Sequence, residues 1–176
     1  KLLKKEAPDV LALQETKVIN DLFPAEGFAK LGYVHQAING QKGYHGVAIL
    51  SRIPFRGQVA QDFCEKGDCR HMSVTLENGV VLHNFYVPAG GDIPDPKVNE
   101  KFAHKLAFLR EMEEMFRHRA DRKTAPVVLV GDLNVAPLEN DVWSHKQLLD
   151  VVSHTPVEVE LFGKAREDSE CNDVTR

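Results

Sequence analysis

Cysteine is nearly missing from this chain. There are three, Cys64, Cys69 and Cys171, with no Cys-x-x-Cys pair among them. An odd, unpaired set argues against a disulfide-stapled scaffold and for reduced thiols in a cytoplasm. Cys64, Cys69 and His71 form the one grouping that suggests zinc, but a structural site needs a fourth ligand, and no second Cys or His pair stands at a convincing spacing. Long apolar runs are missing too. The longest, such as Val127 to Val130, falls far short of the roughly 18 residues of a membrane span, and no charged-then-apolar signal precedes it. The expectation is a soluble, cytoplasmic protein without a membrane partner. An excess of positive charge is also lacking: 22 Lys and Arg against 26 Asp and Glu give a net charge of -4 and a pI near 6.1. That excludes a surface that grips nucleic acid everywhere, while leaving room for one basic face.

What is present is enough for a single core. The chain has 176 residues, is 43% hydrophobic and has a mean hydropathy of -0.30, with no repeat, low-complexity tract or linker. One domain over residues 1–176 is the expectation. Lys1 to Glu6 reads as the last turns of a helix. Pro8 and Asp9 break it, and Val10-Leu11-Ala12-Leu13 follows as a short buried strand ending at Gln14-Glu15-Thr16. Gly46 to Ser51 is a second strand. Met72 to Leu76 and Val80 to Phe85 flank Glu77-Asn78-Gly79, a hairpin signal that implies antiparallel pairing. Between Asn99 and Ala120, Phe102, Leu106, Leu109, Met112 and Phe116 recur at helical spacing, with Lys101, Lys105, Glu113 and Arg117 assigned to the opposite face. Val127 to Val130 reads as a strand buried on both faces. A short helix is expected around Val142 to Val152, and another over Val157 to Arg166, opened by the capping box Thr155-Pro156-Val157-Glu158. The sum is an α/β domain with largely antiparallel sheets.

Two of these strands deliver polar groups to the points where the backbone leaves the sheet: Glu15 in one case, Asp132 and Asn134 in the other. If strand geometry persists through Leu133, Asp132 and Asn134 share a face. Hard oxygen donors of this kind suit magnesium, which takes one or two carboxylates plus water and phosphate. Tyr86 leaves the hairpin just before a Pro- and Gly-rich loop, a placement common for binding groups. Lys42-Gly43-Tyr44-His45-Gly46 is a basic and aromatic loop suited to phosphate and base contacts, with Lys17 and Arg70 as further basic candidates. Each motif alone is better explained by an ordinary turn, cap or packing residue. Their combination is harder to explain that way.

The order Leu13-Gln14-Glu15-Thr16-Lys17, then Gly43-Tyr44-His45-Gly46-Val47-Ala48-Ile49-Leu50-Ser51, Tyr86-Val87-Pro88 and Val130-Gly131-Asp132-Leu133-Asn134 resembles exonuclease III. This is the apurinic/apyrimidinic endonuclease branch of the endonuclease/exonuclease/phosphatase superfamily, and the likeness covers essentially the whole chain. The resemblance implies a four-layered, DNase I-like α/β sandwich: two mixed, largely antiparallel sheets face to face, flanked by helices. It implies a hydrolase of base-excision repair that cuts DNA at abasic sites and trims 3′ ends, dependent on Mg²⁺ (or Mn²⁺) and acting as a monomer on double-stranded DNA. By motif, Glu15 would be the metal ligand, Asp132 would orient or deprotonate the attacking water, and Asn134 and Tyr86 would bind the scissile phosphate. Lys17, Tyr44 and Arg70 would contact DNA or support the site. The family's opening strand with its Trp-Asn pair, its Trp-containing loop and its closing Asp-His pair have no counterpart here. The expectation is therefore a partial domain, incomplete at both ends, inactive or weak by itself. The alternatives are a superfamily phosphoesterase acting on lipid or inositol phosphates, and a non-catalytic DNA-binding fragment.

Overall fold

The computed structural model describes residues 2–119 and 125–173 and divides the chain into two compact units, Lys1–Tyr86 with Ala125–Asp132, and Val87–Thr124 with Leu133–Arg176. The first unit holds every strand among the described residues. Its elements are α1 (Leu2–Glu6), β1 (Val10–Gln14), α2 (Ala25–Ala29), β2 (His35–Asn39), β3 (Val47–Ser51), β4 (Phe55–Val59), β5 (His71–Leu76), β6 (Val81–Tyr86) and, from the later segment, β7 (Val127–Asp132). One sheet has the order β1-β3-β2, all antiparallel; the other has β4-β5-β6-β7, antiparallel except for the parallel β6–β7 pair. The expected α/β class with two largely antiparallel sheets is present. Lys1, with which the first expected helix begins, lies outside the described residues.

Alternation along the strands decides which side chains meet. Val47 and Ile49 of β3, with Ala37 of β2, face Met72, Val74, Leu82 and Tyr86 of the second sheet and form the core between the two. Ala48 and Leu50 point the other way, onto Phe23 and Tyr33, so all five residues of β3 are buried. In the hairpin only Gly79 takes a positive φ, and Leu76 O accepts from Gly79 N at 2.9 Å. The tip is therefore a three-residue loop, Glu77 to Gly79, closed by one left-handed glycine, and not a two-residue mirror-image turn.

The second unit is helical, with α3 (Glu100–Arg117), α4 (His145–Leu148) and α5 (Pro156–Ser169). The expected apolar stripe of α3 is buried, and the Thr155–Glu158 capping box opens α5 as read from the sequence. Ala120, where the expected helix ended, lies outside the described residues. Five expectations need correction. Lys105 is not on a solvent face: it is fully buried, because a carboxylate and three further oxygens surround its ammonium group. β7 is not buried on both faces: it lies at the edge of its sheet, with Val128 44% exposed. The helix expected over Val142 to Val152 shrinks to four residues, and α5 runs three residues past Arg166. Asp132 and Asn134 do not continue one strand, since β7 stops at Asp132 and Asn134 turns left-handed with φ 49°. Among the described residues no helix is long and apolar enough to cross a membrane.

Candidate active site

β1 ends at Gln14, and the next three residues turn sharply away. Glu15 and Lys17 both sit in the left-handed region (φ 55° and 54°), as does His45 (φ 47°) in the facing loop. Non-glycine residues pay strain for this conformation and hold it only where surroundings dictate it. Here the surroundings are backbone bonds: Thr16 N to Gly46 O at 3.2 Å, Lys17 N to His45 O at 2.9 Å and Gly43 N to Lys17 O at 3.0 Å. Gly46 makes the approach possible, because a Cβ there would lie 2.2 Å from Thr16 Oγ1. The loop carrying Tyr44 is thus zipped against the Glu15 turn, with the Tyr44 ring 69% exposed.

Tyr86, the last residue of β6, donates its hydroxyl to Glu15 Oε1 at 2.5 Å, and Lys17 Nζ stands 3.1 Å from Oε2. The Tyr86 hydroxyl first, and Lys17 after it, hold the Glu15 carboxyl below its ordinary range. Burial, with the bond to Glu15 behind it, pushes Tyr86 up to about 12. Tyr86 therefore keeps its proton at neutral pH and is a hydrogen-bond donor, not a base. Arg70 lies beneath its ring, 4.7 Å from the centroid, and donates Nη1 to Tyr86 O at 3.2 Å while pairing through Nε with Asp68. Its Nη2 is 3.4 Å from His45 Nε2. Only 8% exposed, Arg70 is built into the support of Tyr86.

Asp132 arrives by register. β6 and β7 run parallel with Phe85 opposite Gly131 and Tyr86 opposite Asp132, so the tyrosine and the aspartate end neighbouring strands side by side. Gly131 has φ 140° and a Cβ on it would fall 1.9 Å from Phe85 O, so no other residue fits. The Asp132 charge is one of the influences that keep Tyr86 protonated.

Sequence reasoning missed the braces. Asn84 is fully buried between the sheets; its Nδ2 donates to Leu13 O (3.0 Å) and Ala48 O (3.1 Å), and its Oδ1 accepts from Gln14 Nε2 at 2.7 Å. One amide thereby spans from β6 to β1 and β3, directly behind the ends that carry Tyr86 and Glu15. An unpaired buried amide would cost about 1–3 kcal/mol, so this satisfied one fixes the spacing of the sheets. The signal was available: alternation puts Asn84 on the same face as Leu82 and Tyr86, where an amide is out of place unless it is bonded.

Asn134 belongs to the second unit. Its Nδ2 donates to Val87 O at 2.9 Å, and its own carbonyl accepts from Lys105 Nζ at 2.6 Å. Both segments so joined follow directly in the chain from Asp132 and Tyr86.

Among the described residues no group of three or more His, Cys, Asp and Glu side chains could hold a metal ion by protein alone. Glu15 is nonetheless a suitable single donor: ionised, half in solvent, and already neutralised by a cation, the displaceable Lys17 ammonium. The donor set fits a magnesium-type ion held mostly by water and phosphate and does not fit an all-protein cage.

Comparison with known proteins agrees with this geometry. The chain is 32% identical to exodeoxyribonuclease III of Haemophilus influenzae over 80% of its own length and 53% of the relative. It is 30% identical to a DNA-(apurinic or apyrimidinic site) endonuclease of Dictyostelium discoideum over 82% of this chain and 39% of that protein. Among solved structures, an AP endonuclease from Archaeoglobus fulgidus superposes with a TM-score of 0.83 at 32% identity, covering 94% of this chain and 62% of the other. A Neisseria 3′ phosphatase bound to a product DNA hairpin gives 0.83 at 28% identity, covering 95% and 63%. The chain thus spans about half the length, or less, of the curated relatives it matches. Residues 1–161 match the model of the Endonuclease/Exonuclease/phosphatase family, and the chain belongs to that family.

Proposed function

We propose that the protein carrying this chain is a Mg²⁺-dependent DNA phosphodiesterase of the exodeoxyribonuclease III and AP endonuclease kind, and that residues 1–176 act within one domain of it. The observation that carries this reading is the convergence of Tyr86, Glu15 and Asp132 on adjoining strand ends, with Tyr86 held as a donor. The names of its relatives support DNA as the substrate class.

Each group has a role its environment suits. Asp132 orients the attacking water and accepts its proton. Tyr86, protonated and braced by Arg70, donates to a non-bridging phosphate oxygen as negative charge accumulates there, and Asn134 keeps the phosphate-donor role that its motif implies. Glu15 would hold the divalent ion, which when bound offsets phosphate charge. Lys17 and the exposed Tyr44 ring offer a charge and a stacking surface to DNA.

The test is cleavage of an abasic-site duplex and of recessed 3′ ends with and without Mg²⁺, by the 176-residue chain and by the full product of its gene. Phosphoinositide and sphingomyelin serve as controls. Metal-dependent cutting of DNA, lost in Asp132→Ala, is expected. Turnover of the lipids alone would end the DNA reading, and an unaffected Asp132→Ala would end the site assignment.

A further inference from the structure

The second unit contains an ion pair that the reaction as described does not use. Lys105 of α3 and Glu158 of α5 meet at 2.5 Å with no side-chain exposure at either partner. Four oxygens surround the ammonium: Glu158 Oε1, Ala89 O at 3.2 Å, Asn134 O at 2.6 Å and Ser153 Oγ at 3.2 Å. Glu158 is fixed in turn, accepting from Ser153 N at 3.0 Å on both oxygens and from Thr155 N and Oγ1 at 3.2 and 2.6 Å. Gly90 lets the lysine stem pass, since a Cβ there would lie 2.8 Å from Lys105 Cδ.

If packing alone were at stake, an apolar pair of similar volume would serve as well or better, because burying two charges carries a desolvation penalty. What an apolar pair cannot do, and this ammonium group does, is hold two carbonyls at once. The two it holds, Ala89 O and Asn134 O, belong to the same segments that the Asn134 Nδ2 to Val87 O bond joins.

We infer that Lys105, anchored by Glu158, is a positioning residue: it clamps the Val87–Gly90 and Asn134 segments together and so sets the direction of the Asn134 side-chain amide. This rests on the reading of Asn134 as a phosphate donor. Lys105 does not reach substrate itself.

The test uses Lys105→Met/Glu158→Gln, which removes both charges while leaving Gln an acceptor for the α5 cap, in the full gene product that contains this chain. The expectation is a fall in kcat of at least about tenfold with KM within about threefold, and a penalty below about threefold when the same pair is introduced into Asn134→Ala. A full, additive penalty in that background, or an unchanged kcat, overturns the inference. Nuclear magnetic resonance decides it independently of turnover. The Asn134 side-chain amide signals, assigned by their loss in Asn134→Asp, should shift in the double variant, and signals that stay in place overturn it. The unsubstituted protein gives a third readout that needs no variant to fold: Lys105 ammonium protons should exchange far more slowly than those of the exposed lysines, and equal rates overturn the clamp. If the unsubstituted protein does not cut DNA, the proposed function falls, while the amide shift and ammonium exchange still settle the positioning.

Discussion

Lys17 and Glu15 meet at 3.1 Å with 53% and 48% of their side chains in solvent, whereas Lys105 and Glu158 meet at 2.5 Å with none. The chemistry of the two pairs is the same and their circumstances are opposite. In the open pair, water competes for both charges, so the contact contributes little energy and its lysine can leave. That is what a carboxylate needs if a divalent ion and a phosphate are to take the lysine's place. In the closed pair neither partner can leave without stranding a charge in the interior, which makes the contact permanent. One end of the chain thus carries an exchangeable electrostatic contact and the other a fixed one.

The largest break in this contrast comes from removing one partner of the closed pair. Lys105→Ala or Glu158→Ala alone should lower the free energy of unfolding by about 3–5 kcal/mol, read from urea denaturation, because the remaining charge stays buried and unpaired. Lys105→Met/Glu158→Gln should cost distinctly less. If the single and the double variants proved equally unstable, cavity formation rather than charge would govern the site.

Next in size is Tyr86→Phe. If Tyr86 is the phosphate donor proposed above, its loss removes one preorganised donor to developing charge, which typically lowers kcat by about 10²–10³-fold. Cleavage of an abasic duplex under single-turnover conditions checks this, and a loss below threefold would remove Tyr86 from the reaction. The same residue has an alkaline signature. Its folded pKa, near 12, lies above the ordinary value of 10, so the stability tied to its proton is complete below pH 10 and disappears as pH rises toward 12. Phenolate absorbance should show a late-titrating component that is lost in Tyr86→Phe.

The contrast also explains what could be read from sequence. Glu15, Tyr86 and Asp132 were legible because local rules place them: an apolar run makes a strand, the strand ends, and the residue at the end is presented. Gly131 beside Asp132 even marks the close approach that puts the aspartate opposite Tyr86. β2 (His35–Asn39) and β4 (Phe55–Val59) escaped notice because neither has such a run, and four of the five β4 residues are exposed. Lys105 was misplaced for a different reason. Its spacing from Phe102, Leu109 and Met112 puts it on the buried stripe of α3, but a lysine is assigned to solvent unless its partner is known, and Glu158 lies on another helix. Asn134 was given strand geometry although asparagine is among the residues that enter the left-handed region most readily, as it does here. Local pattern reveals what a strand presents, and tertiary pairing decides what holds it.

His71, a buried imidazole, sharpens the comparison from the side of a group with no counter-ion among the described residues. It stacks on His83 and Phe85, its Nε2 lies 3.0 Å from His83 Nδ1, and its Nδ1 accepts from Gln61 N at 3.3 Å. Burial first, and the neighbouring His83 second, depress its pKa to about 3. The unfolded chain binds a proton below about pH 6.5 that the folded one refuses, so stability falls as pH drops from 6.5 toward 3. His71→Phe should flatten that part of a melting-temperature profile, and an unchanged slope would move the acid sensitivity elsewhere.

The smallest expected change is in Lys17→Ala. Removing an exposed partner from an exposed carboxylate should shift the melting temperature by less than about 3 °C, and by less still in high salt. The Glu15 carboxyl should titrate at a higher pH than in the unsubstituted protein, because one of the groups that hold it down is gone while the Tyr86 hydroxyl remains. A side-chain carbonyl titration by nuclear magnetic resonance reads this directly. Mg²⁺ titrations of the two proteins then test whether the contact is exchangeable. If Lys17 occupies the place that the ion must take, Lys17→Ala binds Mg²⁺ at Glu15 at least as well as the unsubstituted protein does. If binding weakens instead, Lys17 is helping to hold Glu15 in its metal-binding position. The open pair would then be as structural as the closed one.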